Sequence, residues 1–399
     1  MTTDPLLLRA KGLKDELVLI RRDLHRYPEL AFGEQRTAEK GRAYLAALGL
    51  DVQAKVAGTT GVVATLESGQ PGPTLVIRAD MDALPIAEST GLDFSSRNAG
   101  VMHACGHDAH VTCALGAAKL LVENKAQLRG RILIVLQPAE ETPPGGAQVL
   151  IEQGRILHGV DAAIALHCHP GIPAGTLAFR SGQMLAHSDR FLITLKGKGA
   201  HAARPHLSVD AVAVAVQVYQ ALQYLVSREN DPLHPFVLTI GRIAGGVAAN
   251  VISETATLEG TTRSLDERVA EEVPERMKRI IGGICHAARA EFEFQYERGY
   301  PALVNDPGLT EQALGSARGL LGAGSVRSLE HAEMGGEDFA YFARKVPATM
   351  FRLGVGNAAR GWEHSLHSPR FTLDEDALPI GAAALARIAL DYTANGKAK

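Results

Sequence analysis

Along the first third of the chain, apolar positions alternate between two periods. Leu13, Leu17, Ile20 and Leu24 recur at helical spacing and predict an opening amphipathic helix that Pro28 ends. The segment 34–48 reads as a second helix, stopped by Gly49. Short apolar runs then predict strands at 61–66, 74–78, 132–136 and 162–166, with helices at 109–122 and 146–153 between them. The run at 74–78 is nearly all apolar, as for a strand buried on both faces. Alternating strand and helix predicts an α/β domain, a mostly parallel sheet layered between helices.

The pattern changes near residue 188. Strand 190–196, helix 209–227, strands 236–243 and 251–263, helix 267–290 and strand 291–297 follow in the order of a ferredoxin-like unit. After Tyr300 and Pro301 the earlier alternation resumes. The expected organisation is a larger domain made of 1–187 and 299–399, with 188–298 inserted as a small α+β domain.

Polar chemistry gathers at the C-terminal ends of the predicted strands. Asp80 and Asp82 follow the 74–78 strand, Glu140 and Glu141 follow 132–136, and His167 follows 162–166. In open α/β sheets that edge is where ligands bind. The stretch Met102–His110 adds Cys105 and His107 in a Gly-containing turn. Thiolate, imidazole and carboxylate together suit a borderline-soft divalent ion: zinc, manganese, cobalt or nickel. A carboxylate beside a ligand carboxylate is what a hydrolase needs to take a proton from a water held by the ion.

Each residue also has a plainer reading. A Glu-Glu pair is common on solvated helix faces, and Cys105 with His107 could be a thiolate nucleophile and its base. That rival leaves the surplus of ligand-type side chains unexplained. His167 and His169 would share a face in a strict strand, so spacing does not choose between them, and His364 and His367 pose the same ambiguity. Asp80 and Asp82 could cap a turn or orient a ligand imidazole; the second reading places Asp82 in the catalytic set. In the inserted segment, His201 lies among small residues, Asn250 in a Gly-rich turn and Arg263 after a strand. An imidazole, an amide and a guanidinium could serve an oxyanion and a substrate carboxylate.

Composition narrows the class. The 399 residues are 46% hydrophobic and 21% charged, with a net charge of −3. That balance argues against nucleic acid or an anionic membrane as main partner. The four cysteines, Cys105, Cys113, Cys168 and Cys285, have no framework spacing. They predict a reducing, cytoplasmic setting. No signal peptide or membrane span is expected.

Nine stretches in order resemble the amidohydrolase branch of the aminoacylase/carboxypeptidase metallopeptidases, which includes hippurate hydrolases, N-acyl-amino-acid amidohydrolases and auxin-conjugate hydrolases. They are Arg22–Leu30, Asp80–Pro85, the Cys105 turn, Gln137–Glu141, His167, Gly199–Pro205, Gly245–Ile252, Gly336–Phe339 and Leu366–Pro369. The resemblance implies one or two divalent metal ions per subunit, held by Cys105, His107, Glu141, His167 and His367. It implies Glu140 as general base and His201 and Asn250 as transition-state contacts, His201 reaching a partner subunit's site. Arg263 matches a position that binds the substrate carboxylate, and Gly336 is counted with the substrate-binding residues. The resemblance makes 1–187 and 299–399 the catalytic domain and 188–298 a lid and dimerisation domain; the implied substrate is a small N-acyl amino acid or a dipeptide, and the implied assembly is a homodimer or a dimer of dimers. A dipeptidase or carboxypeptidase would use the same machinery. A non-catalytic metal- or peptide-binding protein is the rival from another class; Glu140 argues against it, because pure binding needs no base.

Overall fold

The computed structural model describes residues 4–395. The chain forms two compact units. One contains the chain up to Gly182, Val304–His331 and the chain from Asp338 onward; the other contains Gln183–Leu303 with Ala332–Glu337.

In chain order the strands are β1 (Asp51–Ala54), β2 (Val62–Glu67), β3 (Thr74–Asp80), β4 (Arg131–Gln137), β5 (Ala162–Pro173), β6 (Leu177–Phe179), β7 (Gly182–Leu185), β8 (His187–Lys196), β9 (Ala200–His201), β10 (Phe236–Gly245), β11 (Val251–Ile252), β12 (Thr255–Ser264), β13 (Glu291–Tyr300), β14 (Leu303–Asn305), β15 (Val326–Ser328) and β16 (Ala348–Gly356). The α-helices are α1 (Pro5–Lys11), α2 (Lys14–Arg26), α3 (Gln35–Ala47), α4 (His107–Glu123), α5 (Gly146–Glu152), α6 (Ala211–Tyr224), α7 (Glu267–Ala288), α8 (Pro307–Leu321), α9 (Ala340–Ala343) and α10 (Leu378–Asn395).

The larger unit is built on an eight-stranded sheet in the order β1-β2-β4-β3-β5-β16-β6-β15. Its central strands β4, β3, β5 and β16 run parallel. Every residue of β3 and β16 is buried, as expected for strands covered on both faces. Leu17 and Leu24 of α2 join the same core as the nearly all-buried α4 and the alanine-rich α10. Parallel alignment is what matters for the site. It brings the ends of β3 and β4 and the middle of β5 to one edge although they are far apart in sequence.

The smaller unit follows the predicted ferredoxin-like order, β8-α6-β10-β12-α7-β13, with an antiparallel sheet β10-β12-β8-β13. Phe191, Ile193 and Leu195 of β8 pack under Val214 and Val218 of α6 and Val273 and Met277 of α7. Both helices start at aspartates, Asp210 and Asp266, whose side chains accept from the first backbone amides.

Two predicted strands are corrected. The segment 251–263 is not one strand: Val251–Ile252 pairs with Ala200–His201, whereas Thr255–Ser264 joins the main sheet beside β8. The strand read as 162–166 extends to Pro173, because β16 pairs with it from Ala163 to His169 and, after a register shift, at Pro173.

Candidate active site

The site grows from the edge where β3 and β4 end and β5 passes on. Asp80 closes β3, Gln137 closes β4, and His167 lies in β5. The Cys105 turn reaches the same place because α4 starts at His107. Gly106, just before it, has a φ of 84°, and a side chain there would meet Cys168 at 3.1 Å. Only glycine takes that conformation at so close an approach.

Cys105, His107 and His167 bring their ligand atoms together in one group. Cys105, Glu141 and His367 form a second, and His107, Glu140 and Glu141 a third. The five expected metal residues therefore converge on overlapping donor sets, two of which share Cys105. Cys105 Sγ lies 3.5 Å from His167 Nε2, and His367 Nε2 lies 3.1 Å from Glu141 Oε1. His107 Nε2 is buried without a hydrogen-bond partner. It faces Asp80 Oδ2 at 3.8 Å, Glu140 Oε2 at 3.9 Å and Glu141 Oε1 at 4.0 Å. Those separations are too long for hydrogen bonds and suit donors that share an ion. An unpartnered buried imidazole nitrogen among carboxylates, with a thiol beside it, fits a divalent metal.

Protonation chemistry agrees. Burial opposes charge on His107, but Asp80, Asp82 and Glu141 outweigh it and raise the imidazole to about 10. The pocket thus attracts positive charge. Burial lowers His167 well below its usual value, with His110 and Arg352 adding to the effect, which leaves the neutral ring a ligand needs. Burial and the field of Glu141, Glu140 and Asp80 push the Cys105 thiol far up. A thiol so placed is not a free thiolate nucleophile, and a bound cation would ionise it. The nucleophile reading loses its activation.

Behind the donors lies a buried ionic layer. Asp82 accepts from the backbone N–H of Glu140 and of Glu141, each at 2.9 Å, and its Oδ1 stands 3.3 Å from His107 Nδ1. It therefore acts on both the carboxylate loop and the imidazole, a positioning part rather than direct chemistry. Asp80 accepts from His110 Nδ1 at 2.6 Å and pairs with Arg78 at 2.6 Å. Cys168 N–H donates to His110 Nε2, so both nitrogens of that ring are engaged. Arg78 also reaches Gln137 and Asp338, and Gln137 donates to Asp338. A second layer sits under α4: Asp108, next to His107, takes Arg21 and His25, each at 2.8 Å, and His25 continues to Glu88.

The histidine ambiguities resolve by location. His167 and His169 both lie in β5, but only His167 joins the donor groups. His364 is exposed and His367 joins Cys105 and Glu141, its side chain 52% exposed at the mouth of the cluster.

In the smaller unit, the β9–β11 pairing and the bond from Ala202 N–H to the Asn250 carbonyl hold His201 and Asn250 together. Ala203 N–H donates to His201 Nδ1 at 3.0 Å. The neutral ring therefore carries its hydrogen on Nε2, an outward donor. Arg263, half-buried on β12, hydrogen-bonds Ser188, and Gly336 packs on the same serine so closely that a Cβ would meet it at 2.8 Å.

Several participants were not legible in the sequence. Arg78 had a signal: a cation inside a fully buried strand must have anionic partners. His25, Gln137, Asp108 and Asp338 lie in stretches the sequence singled out, but their pairings had no local signal, because their partners lie tens to hundreds of residues away.

The sequence pattern of Peptidase family M20/M25/M40 matches residues 76–391. Thermostable carboxypeptidase 1 of Saccharolobus solfataricus is 39% identical over 387 residues, 96% of this chain and 97% of its own length. An N-acetylcysteine deacetylase of Bacillus subtilis is 39% identical, covering 95% of this chain and 97% of its own. A Bacillus subtilis crystal structure described as a dinuclear metal-binding peptidase of the M20 family superposes with a TM-score of 0.82 at 36% identity. That match covers 95% of this chain and 98% of the other.

Proposed function

The chain belongs to peptidase family M20/M25/M40, and from that premise we propose that it hydrolyses the amide of N-acyl amino acids, with Glu140 as general base. It is a metal-dependent hydrolase of the peptidase and amidohydrolase type. The observation that carries the finer reading is the pairing of Glu140 with Glu141. Both amides rest on Asp82, and both carboxylates stand near His107, at 3.9 and 4.0 Å; beyond it Glu141 joins Cys105 and His367, whereas Glu140 joins Glu337 and Asp338. That division supports ligation by Glu141 and proton transfer by Glu140.

Cys105, His107, Glu141, His167 and His367 would hold the metal, with zinc, manganese, cobalt and nickel all matching the donors. When bound, it supplies Lewis acidity for the scissile carbonyl and lowers the pKa of water. Glu140 takes the water's proton and delivers it to the leaving amine nitrogen. His201, with its Nε2–H directed outward, donates to the oxyanion, and Asn250 assists it. Arg263 binds the substrate carboxylate, with Gly336 leaving room beside it. The deacetylase relative supports an N-acyl amino acid as substrate; the carboxypeptidase relative, equally identical, supports a peptidase on the same residues.

We propose a homodimer, alone or as a dimer of dimers, in which His201 of one subunit serves the other's site. Val212, Val216 and Tyr219 make an exposed apolar stripe on α6, and β10 is an edge strand. Both features suit a two-fold contact.

The test is a metal-supplemented screen of N-acetyl and N-benzoyl amino acids and dipeptides, repeated with Glu140→Gln. Turnover of N-acyl amino acids should exceed that of dipeptides. Glu140→Gln should lose about 10²–10⁴-fold in kcat while keeping its metal. A variant that keeps its turnover, or loses its metal, would show the base and ligand roles to be wrongly divided.

A further inference from the structure

The carboxylate loop is held from two sides. Asp82 takes the amides of Glu140 and Glu141. The preceding amide, that of Ala139, is taken by Glu34, which lies at the start of α3, 105 positions earlier. Ala139 has a φ of 52°, left-handed and uncommon without glycine. Phe32, at a φ of 60°, is left-handed too, and its amide donates to the same Glu34 Oε1 at 2.9 Å. Glu34 Oε2 accepts from the Thr60 hydroxyl at 2.6 Å, and Glu34 is wholly buried. One carboxylate thus ties together two unusual backbone residues. Such conformations persist only where their surroundings over-determine them, and they gather where geometry serves chemistry.

We propose that Glu34 is a positioning residue for the general base: by holding the left-handed Ala139, it sets the direction in which Glu140 leaves the loop. The proposal rests on the reading of Glu140 as base. Glu34 acts through the Ala139 backbone, holding the N–H of the Pro138–Ala139 peptide. The next peptide, Ala139–Glu140, is held by Asp82 at its N–H and by the Gly146 N–H at its carbonyl, 3.0 Å away, so Glu34 and these two partners together fix the φ of Ala139. Freed from Glu34, Ala139 relaxes toward negative φ and swings the following Cα–Cβ bond. Glu141 is held in addition by its place among Cys105, His107 and His367, so ligation survives where the aim of Glu140 does not.

The experiment compares Glu34→Ala and Glu34→Gln in the full-length metal-loaded enzyme, on the best substrate of the screen above. Steady-state kinetics are read with metal content by elemental analysis. Misplacement of a catalytic group by about 1 Å can cost roughly 100-fold, so Glu34→Ala is expected to lose about 10- to 100-fold in kcat with KM and metal content near those of the parent. Glu34→Gln keeps an acceptor oxygen for Ala139 and a donor for Thr60 Oγ, and should restore most of the turnover. In a Glu140→Gln background, Glu34→Ala should cost almost nothing more. Equal loss in both backgrounds, loss of metal, or a Glu34→Gln as poor as Glu34→Ala would overturn the proposal. If Glu34→Ala does not fold, Thr60→Val carries the test: it removes only the hydroxyl that orients the carboxylate, and an unchanged kcat there counts against Glu34. Turnover that survives Glu140→Gln itself overturns the base reading and this proposal together. Turnover lost in Glu140→Gln but fully kept in Glu34→Ala overturns this proposal alone.

Discussion

The donor cluster at the sheet edge and the His201–Asn250–Arg263 set are both polar, yet they are held in opposite ways. In the first, nearly every charged atom is buried and backed by another: Asp80 by Arg78 and His110, the Glu140–Glu141 loop by Asp82, His107 by Asp82. In the second, His201 and Asn250 are exposed and each is tethered mainly through backbone. The buried set is pre-organised, its cost met by the surrounding fold; in the second set each side chain makes few contacts, His201 to the Ala203 amide and Arg263 to Ser188. Substitutions of the ligands and of the charges behind them should therefore disturb metal binding or folding along with activity, Glu140→Gln being the exception that keeps its metal. Substitutions in the second should disturb activity alone.

The sharpest way to break this contrast is to remove the metal. Chelation should abolish hydrolysis and a divalent ion should restore it; full activity after exhaustive demetallation would end the metallohydrolase reading. Glu141→Gln and Cys105→Ser should each bind metal more weakly, because amide and hydroxyl are poorer ligands than carboxylate and thiolate. Metal retained with turnover gone in Cys105→Ser would revive the nucleophile.

Next in size is the stability contrast. Arg78→Leu leaves Asp80 and Asp338 as buried carboxylates short of their cation, and breaking a buried pair typically costs about 3–5 kcal/mol. His201→Ala, at an exposed position, should change stability by less than about 0.5 kcal/mol while reducing kcat. Denaturant unfolding and kinetics on both variants decide this; a His201→Ala that unfolds early would show that the second set is structural after all.

A smaller signal tests the dimer. Glu140→Gln and His201→Ala, each inactive, are mixed and allowed to exchange subunits. Half the random dimers are mixed, each with one intact composite site, so about a quarter of the parent activity should return. No recovery despite proven exchange places His201 in its own subunit's site.

The smallest effect concerns pH. The Glu88 side chain is buried; burial raises its carboxyl, but His25, Thr90 and the Ser96 amide outweigh that and lower it to about 2 from an ordinary 4.5. A depressed carboxyl stabilises the fold above its unfolded pKa, and that contribution is lost as pH falls from about 4.5 to about 2. In metal-free protein, Glu88→Gln should flatten the fall in stability across that interval; identical profiles would remove Glu88 from the ionic layer under α4.

Legibility followed distance along the chain. The α/β layering, the ferredoxin-like unit and the strand-end location of Asp80, Asp82, Glu140 and Glu141 were readable, because period and run length are local properties; His167, read as following its strand, lies within β5. Ligand-type residues were visible for the same reason: a thiol, an imidazole and paired carboxylates in short motifs are unusual. The sequence by itself thus determined the classes of element and the kind of chemistry. It did not determine that β5 runs on to Pro173 beside β16, that 251–263 breaks into two strands, or that His167 and not His169 joins Cys105. Nor did it reveal Glu34 on Ala139, Arg78 between Asp80 and Asp338, or Asp108 beneath His25. Those pairings join residues up to 260 positions apart. A buried charge must find an opposite partner, but which one it finds is decided only when the parallel strands align and close the distance.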